Sequence, residues 1–148
     1  MSLKEQIRSD MKDAMRAGEK DRLSVIRMLL AAIQTREIEA REDLSDNDVM
    51  QIIEKSIKQR KDSAKQFADA GRDDRAAQEL SEGELLQTYL PAQLREAELE
   101  SMLSEVLAVT GASSMKDMGK VMAALRDKAQ GRADMGSLSA LVKSKLAG

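Results

Sequence analysis

Apolar positions recur every three or four residues along almost the whole chain, and nowhere do they alternate long enough to make a strand. Ser2 with Glu5 has the spacing of a capping box. Leu3, Ile7, Met11, Ala14 and Met15 follow as one apolar stripe, which stops at Gly18, a residue suited to the left-handed turn after a helix. Leu23, Ile26, Leu30 and Ile33, with Glu37 or Ile38 at the far end, mark the expected buried face of a second helix beginning near Asp21. The run Leu44-Ser-Asp-Asn-Asp48 then interrupts the pattern, because short polar side chains compete for backbone hydrogen bonds and favour a cap. Val49, Ile52, Ile53, Ile57, Ala64 and Phe67 predict a long third helix over 46–70. Ala76, Ala77, Leu80, Leu85, Leu86 and Tyr89 predict a fourth over 73–89.

Leu90-Pro91 is the strongest break, since proline disfavours helical geometry in the preceding residue and has no N–H of its own. Three shorter helices are expected beyond it. Leu94, Leu99, Met102, Leu103, Val106 and Leu107 mark the fifth, closed by Thr110-Gly111. Met118, Val121, Met122 and Leu125 mark the sixth, capped by Ser114 with Asp117 and ended by Gly131. Leu138, Leu141, Val142 and Leu146 mark the seventh, with Asp134 or Ser137 at its start. The expected fold is all-α: an N-terminal antiparallel bundle over 1–91, of about four helices, and a small three-helix C-terminal domain over 92–148.

Composition narrows the chemistry. Hydrophobic residues at 42% and charged residues at 34% fit a folded chain rather than a disordered one. Phe67 and Tyr89 are the only aromatics, so the core must be aliphatic, with ten methionines available to fill irregular gaps. There is no Cys, hence no disulfide or thiolate chemistry, and no His, which removes the commonest general base and metal ligand. Ser113-Ser114 has no base beside it, and Lys116 sits in a polar turn, so helix capping is the better reading. Asp46-Asn-Asp48 lacks the glycine and the terminal Glu of a calcium loop. No phosphate-cradling Gly-rich loop is present. No catalytic residue, metal or cofactor is therefore expected. The absence of a long apolar run and of a signal-type start predicts a cytoplasmic protein without a membrane span.

The formal net charge is −2, but it is unevenly spread. Residues 1–90 hold 16 Lys or Arg against 19 Asp or Glu, whereas residues 111–148 hold seven against three. Lys116, Lys120, Lys128, Arg132, Lys143 and Lys145 are thus candidate phosphate contacts, although ordinary solvated lysines give the same bias. The third helix carries Lys55, Lys58, Arg60, Lys61 and Lys65. That is either a partner surface or a solvated face balanced by Glu54, Asp62 and Asp69. Gly119 lies inside a predicted helix, where it costs about 1 kcal/mol relative to Ala. With Ala123 it reads as a small-residue patch for close approach of a helix or a sugar-phosphate backbone. Gly131 and Gly136 bracket the turn around Asp134, where amides at the start of the seventh helix can favour an anion while Asp134 competes for them.

Taken together, several segments resemble the YqeY family, the proteins grouped as GatB/YqeY. They are Asp10-Met-Lys12, Arg22-Leu-Ser-Val-Ile-Arg27-Met28, Lys58-Gln-Arg-Lys-Asp-Ser63, Tyr89-Leu-Pro91-Ala-Gln-Leu94, Gly111-Ala-Ser-Ser114, Asp117-Met-Gly-Lys-Val-Met122 and Gly131-Arg-Ala-Asp134. Two departures stand out: Arg95 where relatives carry a capping Ser or Thr, and Met135 before Gly136. The resemblance implies a helical bundle followed by a three-helix domain similar to the tail of the B subunit of aspartyl/glutamyl-tRNA amidotransferase, a tail that contacts tRNA. It also carries a carbon–nitrogen ligase label with glutamine as amide donor, although the residues show no amidase or kinase site. The expected partners are tRNA and an amidotransferase or other protein; the alternative is a helical protein–protein interaction adaptor.

Overall fold

The computed structural model describes residues 1–147 and is all-α, with no strand among them. Seven α-helices follow in order: α1 Leu3–Ala17, α2 Lys20–Ala40, α3 Asp46–Asp69, α4 Asp73–Gln87, α5 Glu96–Thr110, α6 Met118–Ala129 and α7 Met135–Ala147. A single 3₁₀ turn, Met115–Asp117, leads into α6. The backbone contacts divide the chain into two compact units, Met1–Leu90 and Pro91–Gly148.

Local chemistry starts the helices of the first unit. Ser2 Oγ accepts the Glu5 N–H at 3.2 Å while the Ser2 N–H donates to Glu5 at 2.9 Å, so two otherwise unpaired amides are satisfied together. Ser45 and Asp48 make the same reciprocal pair ahead of α3. Asp46 also reaches across to α1, accepting the Leu3 N–H at 3.0 Å. The core is a continuous aliphatic cluster in which Ile7, Ile26, Ile33, Ile53 and Leu86 are almost wholly shielded from solvent.

Arg60 departs from the expected basic surface of α3. It is buried, with its guanidinium paired to Glu79, at 3.4 Å, and to Glu82, both on α4. The reason is its spacing: Ile53, Ile57, Arg60 and Ala64 follow one another by four, three and four residues, so Arg60 lies on the stripe that packs against the neighbouring helix. Lys58, Lys61 and Lys65 are exposed. α4 ends two residues earlier than its apolar pattern suggests. The Thr88 hydroxyl donates to the Leu85 carbonyl at 2.6 Å and the Tyr89 N–H to that of Leu86 at 3.1 Å, a tightened last turn before Leu90-Pro91.

In the second unit Leu94 precedes its helix instead of starting it. Residues 92–94 are held beside the turn between α6 and α7 by three bonds. The Leu94 N–H donates to the Arg132 carbonyl at 2.7 Å, Gln93 Nε2 to the Gly131 carbonyl at 2.9 Å, and Arg132 Nε to the Ala92 carbonyl at 3.1 Å. Arg95 sits at the N-cap of α5 without a capping bond from its side chain. This unit has its own core, built on Leu103, Val106, Val121, Leu125, Leu138 and Val142.

Candidate nucleic-acid interface

The cationic tail is assembled on an antiparallel pair, α5 and α6. Lys120, near the start of α6, donates to the Thr110 carbonyl at the end of α5, 3.4 Å away. Two turns further along α6, Lys128 lies 3.8 Å from Glu105. Just beyond α6, Arg132 lies 3.9 Å from Glu98 on the first turn of α5. Three of the six candidate cations therefore converge on α5, and two of them meet carboxylates there. Glu98 also accepts Arg95 Nε at 2.7 Å, and that guanidinium holds its carboxyl below the ordinary carboxylate range.

Those carboxylates change the charge argument. A positive bias appears when the tail is counted from residue 111, but α5 brings Glu96, Glu98, Glu100 and Glu105 to the same unit with Arg95 as the single added cation. The whole second unit holds eight Lys or Arg against seven Asp or Glu. The unit as a whole is therefore close to neutral, and its uncompensated positive charge is local. Lys116, Lys120, Lys143 and Lys145 are exposed and, among the described residues, have no carboxylate within 4 Å. Lys143 and Lys145 are two positions apart on α7, about 200° around the helix, so they flank the buried stripe of Leu138, Val142 and Leu146 on opposite sides.

The turn residues have plainer roles. Asp134 caps α7, accepting the Ser137 N–H at 2.9 Å and the Ser137 hydroxyl at 3.1 Å, so its carboxylate competes with an anion for the start of this helix. A Cβ at Gly136 would stand 3.2 Å from that carboxylate, which is why the position is best left without a side chain. Gly131 has φ 75°, the left-handed geometry that lets the chain leave α6 and offer its carbonyl to Gln93. Asp117 accepts the N–H groups of Ser113 and Ser114 at 3.1 and 3.4 Å. Gly119 does not serve as a packing patch among the described residues: it is exposed, and an added Cβ would meet nothing within 4 Å.

A feature the sequence reading passed over lies in the first unit. A groove of about 770 Å³ is lined by α1, α2 and the loop after α2, with Lys4, Arg8, Met11, Lys12, Leu30 and Arg41 among its walls. The signal was present in the four-residue spacing of Lys4, Arg8 and Lys12 on α1. Among the described residues no cluster of Asp or Glu is arranged to hold a metal ion, and no helix is long and apolar enough to cross a membrane.

Fold and surface together define a class: an all-helical protein of two compact units, one with a mixed-charge groove, the other with lysines around three short helices. The chain belongs to the Yqey-like protein family, which it matches over residues 4–146. It is similar to altered inheritance of mitochondria protein 41, mitochondrial, of Vanderwaltozyma polyspora, with 32% identity over 119 residues, 76% of this chain and 64% of that protein. The protein of the same name from Lachancea thermotolerans is 37% identical over 105 residues, 68% of this chain and 56% of its own length. An uncharacterized protein of Schizosaccharomyces pombe is 33% identical over 85 residues, 57% of this chain and 69% of its own. The chain thus spans less than two thirds of the length of the first two relatives. Their names call them mitochondrial, which does not fit the plain cytoplasmic location expected from the sequence.

Proposed function

We propose that this chain is a tRNA-contacting accessory module, working beside glutamine-dependent amidotransferase chemistry carried out by other proteins. The observation that carries the reading is the set of exposed lysines without carboxylate partners, Lys116, Lys120, Lys143 and Lys145, in the unit whose sequence resembles a tRNA-contacting tail. Lys128 and Arg132 contribute less, because Glu105 and Glu98 already compensate them. With no aromatic residue in this unit, base stacking supplies nothing, and affinity comes from phosphate neutralisation.

The test is anisotropy of labelled tRNA titrated with the full chain at several salt concentrations. If the four lysines each neutralise a phosphate, log K falls with log salt at a slope of roughly −3 to −4. Replacing all four by Glu is expected to abolish binding, whereas Lys128→Met leaves most of it. A salt-insensitive affinity, no binding at low salt, or a quadruple variant that binds like the parent would refute the reading.

A further inference from the structure

The groove on the first unit has an orderly charge pattern. Lys4 Nζ bonds both carboxylate oxygens of Glu37, at 2.6 and 2.8 Å, and the Leu44 N–H donates to the same carboxylate at 3.0 Å. These bonds fold the loop after α2 against the Lys4 end and bring Glu42 and Asp43 to that end, with Arg41. Arg8 and Lys12 stand one and two turns further along α1, about 6 and 12 Å from Lys4. Both are exposed, and neither has a carboxylate within 4 Å among the described residues. Along α2 the lining runs Leu30, Gln34, Ile38 at four-residue spacing: Leu30 and, from α1, Met11 are half-buried, Gln34 is polar, and Ile38, next to Glu37 at the Lys4 end, is 70% exposed.

We propose that this groove docks an amphipathic helix from a protein partner, with apolar side chains on Met11, Leu30 and Ile38 and acidic side chains against Arg8 and Lys12. Three observations select that occupant. Exposed Ile38, with half-buried Leu30 about two turns back along α2 and Met11 on α1, offers apolar area that a phosphate backbone cannot use. At the other end Glu37, Glu42 and Asp43 outnumber Lys4 and Arg41, which disfavours a uniform polyanion, whereas a helix with acidic residues at one end only can meet both ends favourably. No aromatic side chain lines the groove to stack a nucleobase. The distance from Lys4 to Lys12 corresponds to about two turns, which matches apolar anchors at i, i+3, i+4 and i+7 of a bound helix. All of these residues belong to the first unit, so the proposal is independent of tRNA contact by the second.

The experiment uses the full chain and two fluorescent probe peptides of about 18 residues, ~27 Å of helix. Both carry the same apolar positions; one has Glu and the other Lys on the flanks facing α1. An RNA oligonucleotide of similar length serves as a third probe. The Glu peptide is expected to bind saturably and the Lys peptide at least ~10-fold more weakly. Arg8→Glu with Lys12→Glu should invert that preference, and the gain of Lys-peptide binding shows that the variant is folded. Ile38→Glu, on an exposed side chain, should weaken the Glu peptide without lowering the melting temperature. The proposal is overturned if the Glu peptide does not bind, if both peptides bind alike, if the RNA binds more tightly, or if the double reversal leaves the preference unchanged. Concentration-dependent self-association that is lost in the Ile38 variant would overturn it too, by showing a second copy of this chain in the groove.

Discussion

Tyr89 is half-buried at the end of the first unit, and its hydroxyl donates to Asp10 on α1 at 2.6 Å. Burial, then the bond to Asp10, pushes the phenol above its ordinary value of 10.0. The neutral form is thus favoured by folding, so this stability is fully present below about pH 10 and is lost as pH rises beyond it. Urea unfolding followed across that range should show a falling midpoint. Tyr89→Phe should cost about 1 kcal/mol at neutral pH and flatten the alkaline fall. A midpoint independent of pH up to about 12 would contradict this. At this scale the local pairs were legible: Ser2 with Glu5 and Ser45 with Asp48 are three residues apart, and capping depends on nothing else. Tyr89 and Asp10 are 79 residues apart, and no spacing rule pairs them before the helices are packed. The lysines of the tail were legible as charges, but their partners on α5 were not, because those pairs exist only once α6 runs back along it.

Arg60 ties α3 to α4. One guanidinium faces two carboxylates, Glu79 and Glu82, that keep 26% and 20% of their side-chain exposure. Arg60→Met should leave both acids facing an apolar wall and cost about 2 kcal/mol. That is less than the ~3–5 kcal/mol for a fully buried pair, because water still reaches the acids. Adding Glu79→Gln and Glu82→Gln should recover much of the loss. Chemical denaturation of the single and triple variants decides it, and equal stability of Arg60→Met and the parent would dismiss the pin. The helices themselves were read correctly in number and order because a 3.6-residue period needs no partner to be visible. Their ends were less clear: α4 and α5 stop and start where Thr88 and the strap through Leu94 dictate, and both depend on neighbours.

Each unit encloses its own aliphatic core, Ile7 to Leu86 in one and Leu103 to Leu146 in the other. We therefore expect fragments 1–90 and 91–147 to fold separately, with the shorter melting at the lower temperature because a chain of under 60 residues buries a smaller share of its surface. Circular dichroism and amide-resolved NMR of the two fragments check this; a fragment without dispersed amide signals would show that its core needs the rest of the chain. The distribution of aromatics has an optical consequence. The chain has no Trp, and Phe67 and Tyr89 both belong to the first unit. In the near ultraviolet the second unit is therefore dark. Tyrosine absorbance and emission report the surroundings of Tyr89 in the first unit, and a melt recorded that way passes over the separate loss of the lysine-bearing helices without a signal.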